Sequence, residues 1–201
     1  SLERDVELIP FYDMQDWDGD FLEYLKDIRD VTLIWGDHPE HYPVNVNIDS
    51  VNCARYTGQY VSVYLDAVRN ALDKWNEMTG LNIFDYRNVR DNNAQIRVDY
   101  SESNGGMPEA VPTYTRDDDG RYRIESGIVY LPDSFGNIPS YLLEVAKHEL
   151  GHATGWRGHP QNDGSIMNAS GGRDITEDDG YVVKMFTTLR NNTYLDTYLS
   201  E

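Results

Sequence analysis

The sequence predicts an α+β domain in which a twisted mixed sheet packs against a backing helix and a second helix that carries histidines. Three observations indicate this class. Several short stretches alternate apolar and polar residues, which is the period of half-buried strands. Two longer stretches place apolar residues at steps of three and four, which is the period of amphipathic helices. A third such stretch near the carboxyl end predicts a small C-terminal lobe that ends in a helix.

Length and composition favour one main domain. The chain has 201 residues, of which 39% are hydrophobic, and this suits a single core. We expect an acidic N-terminal extension over residues 1–30 and one domain over 31–201. A cleft is expected to divide that domain into an upper lobe of about 31–157 and a lower lobe of about 158–201.

The charge of the chain excludes some classes of partner. Seventeen basic and 35 acidic residues give a net charge of −18, which repels nucleic-acid phosphates and anionic membranes. No apolar run is long enough to span a membrane, and we expect a monomer. The single Cys53 cannot form an internal disulfide, so it is interpreted as a small buried apolar residue.

The alternating elements follow in order along the chain. Strands are predicted at Val44–Ile48 and Ala94–Tyr100. Between them, a backing helix is predicted to end at Gly80, a residue suited to the left-handed conformation beyond a helix. The apolar stripe of this helix consists of Val61, Leu65, Val68, Leu72 and Trp75.

A hairpin is predicted next, with strands around Ala110–Thr115 and Tyr122–Leu131 joined by a turn at Asp117–Gly120. The aspartates of this turn could bind Ca²⁺, but turn chemistry alone explains them and is the preferred interpretation. Near the carboxyl end, Thr176 and Asp179 form a capping-box-like start to a last helix.

Residues 148–159 contain three of the five histidines of the chain and one glutamate at a chemically suggestive spacing. His148 and His152 are four residues apart, so on a helix their side chains lie about 40° apart on one face. Glu149 lies beside the first histidine and suits a general base. Gly155 can end the helix, which lets the chain turn back and bring His159 in as a third metal ligand.

The same helix has a second face that suits a protein core. Pro139 and Ser140 are placed where a helix begins, since the first-turn amides have no internal partner. The helix can therefore pack on one side and present its histidines on the other. The residues predicted to face the core are Leu143, Ala146, Leu150 and Ala153.

This stretch resembles the metzincins, the zinc endopeptidases that have HExxHxxGxxH followed by a Met-turn, and most closely the matrixin branch. Ser165–Asn168 is similar to the Met-turn, and the resemblance implies that Met167 forms the floor beneath the metal. The similarity is specific from Ile138 to Asn168 and extends to Val44–Tyr100. It implies a zincin-like fold and a secreted or extracytoplasmic protein, although no signal peptide is visible.

The chain departs from the metzincin spacing at one point. Three residues, Trp156, Arg157 and Gly158, separate the glycine from His159 where the family has two. We interpret this as a one-residue bulge that a second glycine tolerates. Asp163 is the rival third ligand, because some metzincins use an aspartate in that role.

The resemblance implies an enzyme that hydrolyses peptide bonds with Zn²⁺ bound by His148, His152 and His159 and with Glu149 as the base. In the family, an edge strand near the active-site helix pairs with extended substrate, and here that strand falls within Ala110–Thr115 or Gly127–Leu131. Two alternatives stay open: a zinc-binding protein without turnover, and a zinc hydrolase of a non-peptide carbonyl compound.

Overall fold

The computed structural model describes residues 33–100, 107–116, 122–156, 158–160 and 164–188. Four sequence predictions concern residues outside these ranges: the acidic extension 1–30, the turn at 117–120, Arg157 in the one-residue bulge, and Asp163 as the rival third ligand. The division into an upper and a lower lobe stays a prediction.

Six short strands form one mixed sheet. They are β1 (Leu33–Ile34), β2 (Val44–Asn47), β3 (Phe84–Asp85), β4 (Ile96–Asp99), β5 (Glu109–Arg116) and β6 (Tyr122–Tyr130). Strands β3, β2, β4 and β6 follow one another in parallel, and β1 is also parallel to the start of β6. Strand β5 alone is antiparallel, paired with β6. The expected mixture of helices with a mixed sheet is therefore confirmed, and the predicted strands have nearly the expected bounds.

The hairpin strand β5 lies at an edge of the sheet. It pairs only with β6, whereas β6 has partners on both sides among the described strands. Pro112 fits this position because a residue without an amide hydrogen is tolerated on an edge strand. Of the two stretches that the sequence left open, Ala110–Thr115 is the one at an edge.

The described residues contain four α-helices: α1 (Asn52–Thr57), α2 (Val61–Thr79), α3 (Pro139–Ala153) and α4 (Glu177–Thr188). The predicted backing helix is confirmed as α2, and Gly80 beyond it has a left-handed φ of 68°. The short elements α1 and β1 were not predicted, because neither is long enough to show a period. Helix α1 carries Cys53, which is free and fully buried as expected.

Helix α3 packs against α2 and against the sheet. The indole Nε1 of Trp75, on α2, donates a 2.9 Å hydrogen bond to the carbonyl of Lys147. The predicted core face is confirmed: Ala146, Leu150 and Ala153 are buried, and Leu143 is partly buried and packs against the core. Leu142 is fully buried as well, because α3 is covered on more than one side and its buried face is wider than one amphipathic stripe.

Helix α4 begins with the predicted capping box. The Thr176 hydroxyl accepts a 3.1 Å hydrogen bond from the Asp179 amide, and the Asp179 carboxylate accepts one of 3.1 Å from the Thr176 amide. These bonds satisfy amides that have no partner inside the helix. The helix packs against α2 and so joins the C-terminal part of the chain to the main core.

Within the described ranges, none of the helices has the length and apolar character needed to cross a membrane.

Candidate metal centre

Three histidine side chains converge at the end of α3. The Nε2 atom of His152 lies 3.1 Å from Nε2 of His148 and 3.3 Å from Nε2 of His159. The three potential ligand atoms all lie within 4.8 Å of one another. The structure therefore brings together all three predicted ligands in a cluster that could hold a metal ion.

Hydrogen bonds fix the rings of the two helical histidines. Nδ1 of His148 is 2.6 Å from the carbonyl oxygen of Ile166, and Nδ1 of His152 is 2.8 Å from that of Trp156. A carbonyl oxygen can only accept, so each Nδ1 carries the proton and each Nε2 keeps a free lone pair. Such outer contacts orient metal-binding imidazoles.

Two glycines guide the chain from α3 to the third histidine. Gly155 has a φ of 114°, and a Cβ there would collide with the carbonyl oxygen of Leu33. The Trp35 indole donates a 2.8 Å hydrogen bond to the carbonyl of Ala153, which fastens the same end of the helix to the residues after β1. Gly158 has a φ of 73°, a conformation that glycine tolerates. Gly155 follows the end of α3 as predicted, whereas the interpretation of the segment before His159 as a one-residue bulge stays a prediction.

Met167 lies directly beneath α3. Its side chain has no solvent exposure, and a Cβ at Gly151 would collide with its sulfur atom. The lack of a side chain at Gly151, between the two helical histidines, therefore lets the methionine approach the helix backbone. Sequence reasoning expected the methionine but missed the requirement for Gly151, which has an ordinary helical conformation and so gives no local signal.

A buried carboxylate on α4 organises the turn at Ser165–Met167. Asp179 is only 1% exposed. It accepts hydrogen bonds of 2.6 Å from the Ser165 hydroxyl and 3.0 Å from the Ile166 amide. Burial raises the pKa of Asp179, and these bonds lower it in part. Ile166 thus donates its amide hydrogen to Asp179 and accepts a hydrogen bond from His148 at its carbonyl. Asp179 therefore supports His148 indirectly.

An ion pair provides a second tie between α3 and the C-terminal segment. Lys147, which precedes the first ligand, is buried, and its Nζ lies 2.8 Å from a carboxylate oxygen of Asp174. The pairing compensates the burial of the ammonium group. Sequence reasoning missed both this pair and the second role of Asp179, because neither long-range contact leaves a periodic pattern.

Burial sets the protonation states of the metal-free cluster. It lowers the pKa of all three histidines, for His152 to about 4. The rings are therefore neutral at neutral pH, which is the form that binds metal ions. Burial, with a contribution from the charge of Glu109, raises the pKa of Glu149 to about 7.

The histidines lie in an open cleft with a hollow on either side. One hollow, of about 460 Å³, extends along β5 past Pro108, Glu109 and Ala110. The other, of about 360 Å³, extends along α3 past Tyr141 and Glu144. His148, Glu149 and His159 line both hollows. The cleft can thus hold an extended molecule across the three histidines.

A scan against protein-family models gives no match, and a search of curated proteins finds none similar to this chain. We therefore base the function on the geometry of the site.

Proposed function

We propose that this protein is a zinc-dependent endopeptidase of the metzincin type, with His148, His152 and His159 as zinc ligands and Glu149 as general base. One observation carries the proposal. Three neutral imidazoles present their Nε2 atoms to one point beside a buried glutamate, at the floor of an open cleft.

The spacing of the nitrogens fits zinc. Nitrogens bound at about 2.0–2.1 Å in tetrahedral geometry are about 3.3 Å apart. The two Nε2 separations measured from His152 are 3.1 and 3.3 Å. Three protein ligands with a fourth position facing a cleft are typical of catalytic rather than structural zinc sites.

The zinc ligands and Glu149 have different roles in the proposed hydrolysis. A bound zinc ion would act as a Lewis acid that makes water more acidic and polarises a carbonyl group. Glu149 takes the proton of the attacking water and delivers it to the leaving amine. The residue is only 6% exposed, which limits the access of competing solvent to the proton that its carboxyl group holds. His148 and His152 need no reorientation, since backbone carbonyls already fix their rings.

Strand β5 supports a peptide as the substrate. Its outer edge has no partner strand among the described residues, and residues of this strand line the cleft. An extended peptide can add to such an edge through main-chain hydrogen bonds. Pro112 has no amide hydrogen, so an added strand gains no donor from that residue.

The two alternatives have less support. A zinc-binding protein without turnover does not require a buried carboxylate of raised pKa next to the ligands, yet Glu149 is present there. A hydrolase of non-peptide carbonyl compounds does not require a strand along the cleft whose outer edge has no partner among the described strands. The proposal therefore favours hydrolysis of proteins or peptides.

The test uses Glu149→Gln, which keeps the side-chain volume and all three histidines. The zinc-loaded wild type should cleave a casein-like substrate and should lose this activity with a chelator. Glu149→Gln should keep one zinc by metal analysis and lose activity by about a factor of 10³. Glu40→Gln, an exposed carboxylate outside the cleft, is the matched control and should match the wild type.

Three other outcomes would contradict the proposal in different ways. Near-wild-type cleavage by Glu149→Gln would remove the proposed base from the mechanism. Zinc binding with cleavage of cell-wall or ester substrates but of no peptide would support the non-peptide hydrolase. Stoichiometric zinc without any turnover would support the silent binding protein.

A further inference from the structure

Glu144 lies on the same face of α3 as the helical histidines. Glu144, His148 and His152 follow one another at steps of four, so their side chains form a row along the helix, with about 5.4 Å of rise per turn. The same glutamate lines the 360 Å³ hollow together with His148 and His159. A carboxylate is thus placed one helical turn from the candidate metal ligands, inside the cleft.

The walls around this carboxylate are largely apolar. Phe135 and Tyr141 meet edge to face with ring centroids 5.0 Å apart, and Met107 and Val145 contribute further apolar surface. Met107 is 66% exposed and Tyr141 is 46% exposed. The hollow therefore offers a ligand both apolar surface and a carboxylate.

Both hollows are acidic. Among the described residues that line them, Glu109, Glu144 and Glu149 carry carboxyl groups, and none is a lysine or an arginine. Within the described ranges, no cation lies within 4 Å of the Glu144 carboxylate. The net charge of −18 adds a long-range attraction for cationic molecules.

We propose that the hollow on the Glu144 side selects a lysine or arginine side chain at one of the two residues that flank the scissile bond, an inference that rests on the proposed peptidase function. The aliphatic stem of such a side chain packs against Tyr141 and Val145 while its cationic end reaches Glu144. A guanidinium group gains further from the exposed ring of Tyr141. A purely apolar side chain packs against the same residues but gives the Glu144 carboxylate no partner. A glutamate side chain is repelled by that carboxylate.

The test uses zinc-loaded full-length protein and peptides that are identical except for lysine, methionine or glutamate at each flanking position. We expect the wild type to prefer lysine to methionine by about tenfold in kcat/KM at one position, and to prefer it less as salt rises. Glu144→Gln should reduce this ratio to about twofold, and Glu144→Lys should shift the preference towards glutamate. The remote Glu40→Gln should keep the wild-type ratio.

A binding measurement separates this inference from the catalytic proposal. The lysine and methionine peptides are titrated against zinc-loaded Glu149→Gln, and the lysine peptide should bind about tenfold more tightly; with Glu144→Gln added, the two should bind about equally. Two outcomes overturn the role of Glu144 and leave the peptidase proposal standing. One is cleavage by the wild type without a preference for a basic residue, and the other is a preference that Glu144→Gln leaves unchanged. Failure to cleave any peptide overturns the peptidase proposal, and equal binding of both peptides then overturns the selection of a basic side chain as well.

Discussion

Helix α3 and the loop after it hold their histidines in different ways. His148 and His152 are partly buried on the helix, and each donates a hydrogen bond from Nδ1 to a backbone carbonyl. His159 is exposed, and within the described residues the only hydrogen-bonding partner of its ring is His152. Backbone carbonyls therefore orient the rings of the helical pair, whereas among the described residues no carbonyl orients the ring of His159.

This difference implies unequal contributions to metal binding. A ligand that folding has already oriented loses little conformational entropy when the metal binds. An exposed ring without such an orienting bond loses more rotational freedom at that step, and the cost reduces its net contribution. Three chemically identical side chains are thus expected to contribute unequally to metal binding.

The largest effect is expected from removal of single ligands. His148→Ala or His152→Ala should weaken zinc binding by about 10³-fold, and His159→Ala by about 10²-fold, measured by competition with a chromophoric chelator. His38→Ala, which removes a histidine outside the cluster, is the control. Equal losses in all three variants would abolish the distinction. Stoichiometric zinc in His159→Ala together with its loss in Asp163→Ala would transfer the third position to Asp163.

A smaller effect is expected from Asp179, which supports His148 but not His159. Asp179→Ala removes the acceptor of three hydrogen bonds, from Ser165, Ile166 and Thr176. Denaturant titration should show a loss of about 3 kcal/mol in the free energy of unfolding.

The same variant should weaken zinc binding by about 10- to 100-fold, because the carbonyl of Ile166 is no longer held in place. The NMR signal of the His148 Nδ1 proton should shift or broaden, and that of the His152 Nδ1 proton should not. Asp178→Ala, in the same turn of α4, should change neither quantity. Lower stability with unchanged zinc affinity and an unchanged His148 signal would limit Asp179 to a structural role.

The pH dependence of the metal-free protein gives a further comparison. Burial lowers the pKa of His152 from 6.5 to about 4 in the folded state. The unfolded state therefore binds more protons between these values, and stability is complete above about pH 6.5 and is lost as the pH falls towards 4. His152→Asn should remove about 2–3 kcal/mol of this acid sensitivity in urea titrations with chelator present. His159→Asn should remove less, since its ring is exposed; the reverse order would contradict the assigned burial.

The smallest effect is expected from Met167→Leu. This variant keeps an apolar side chain of similar volume beneath α3, so the free energy of unfolding should fall by less than about 1.5 kcal/mol and zinc should stay bound. Met167→Ala, which opens a cavity, should cost about 2–5 kcal/mol. Loss of all zinc in the leucine variant would contradict the assignment of Met167 as a packing residue beneath the metal. It would indicate instead that the methionine sulfur is a ligand.

The sequence carried enough information for the elements with a clear period. The alternation at Val44–Ile48 and the stripe of α2 both reflect burial on one side, and both elements formed nearly as predicted. Helix α3 is covered on more than one side, so its buried face also includes Leu142, which the predicted stripe lacked. The histidine spacing predicted the cluster because two ligands share one helix, and the third is only seven residues away.

The supports of the cluster could not be predicted in the same way. Asp179 was recognised through Thr176, which is three residues away and forms the capping box. Its bonds to Ser165 and Ile166 join residues 13 and 14 positions apart through space. Nothing in a local pattern records such a contact. Gly151 was missed for the same reason, since only the packed methionine shows why a side chain is excluded there.

The contacts at the end of α3 determine how much of the chain must accompany the three histidines if they are grafted onto another protein. A peptide of residues 148–159 grafted onto a foreign helix would carry three imidazoles, but it would lack the carbonyl of Ile166 that orients the first one. It would also lack the Trp35 indole that holds the carbonyl of Ala153, and the backbone at Leu33 that fits against Gly155. The smallest portable unit therefore extends from Leu33 to Asp179, almost the whole of the described chain.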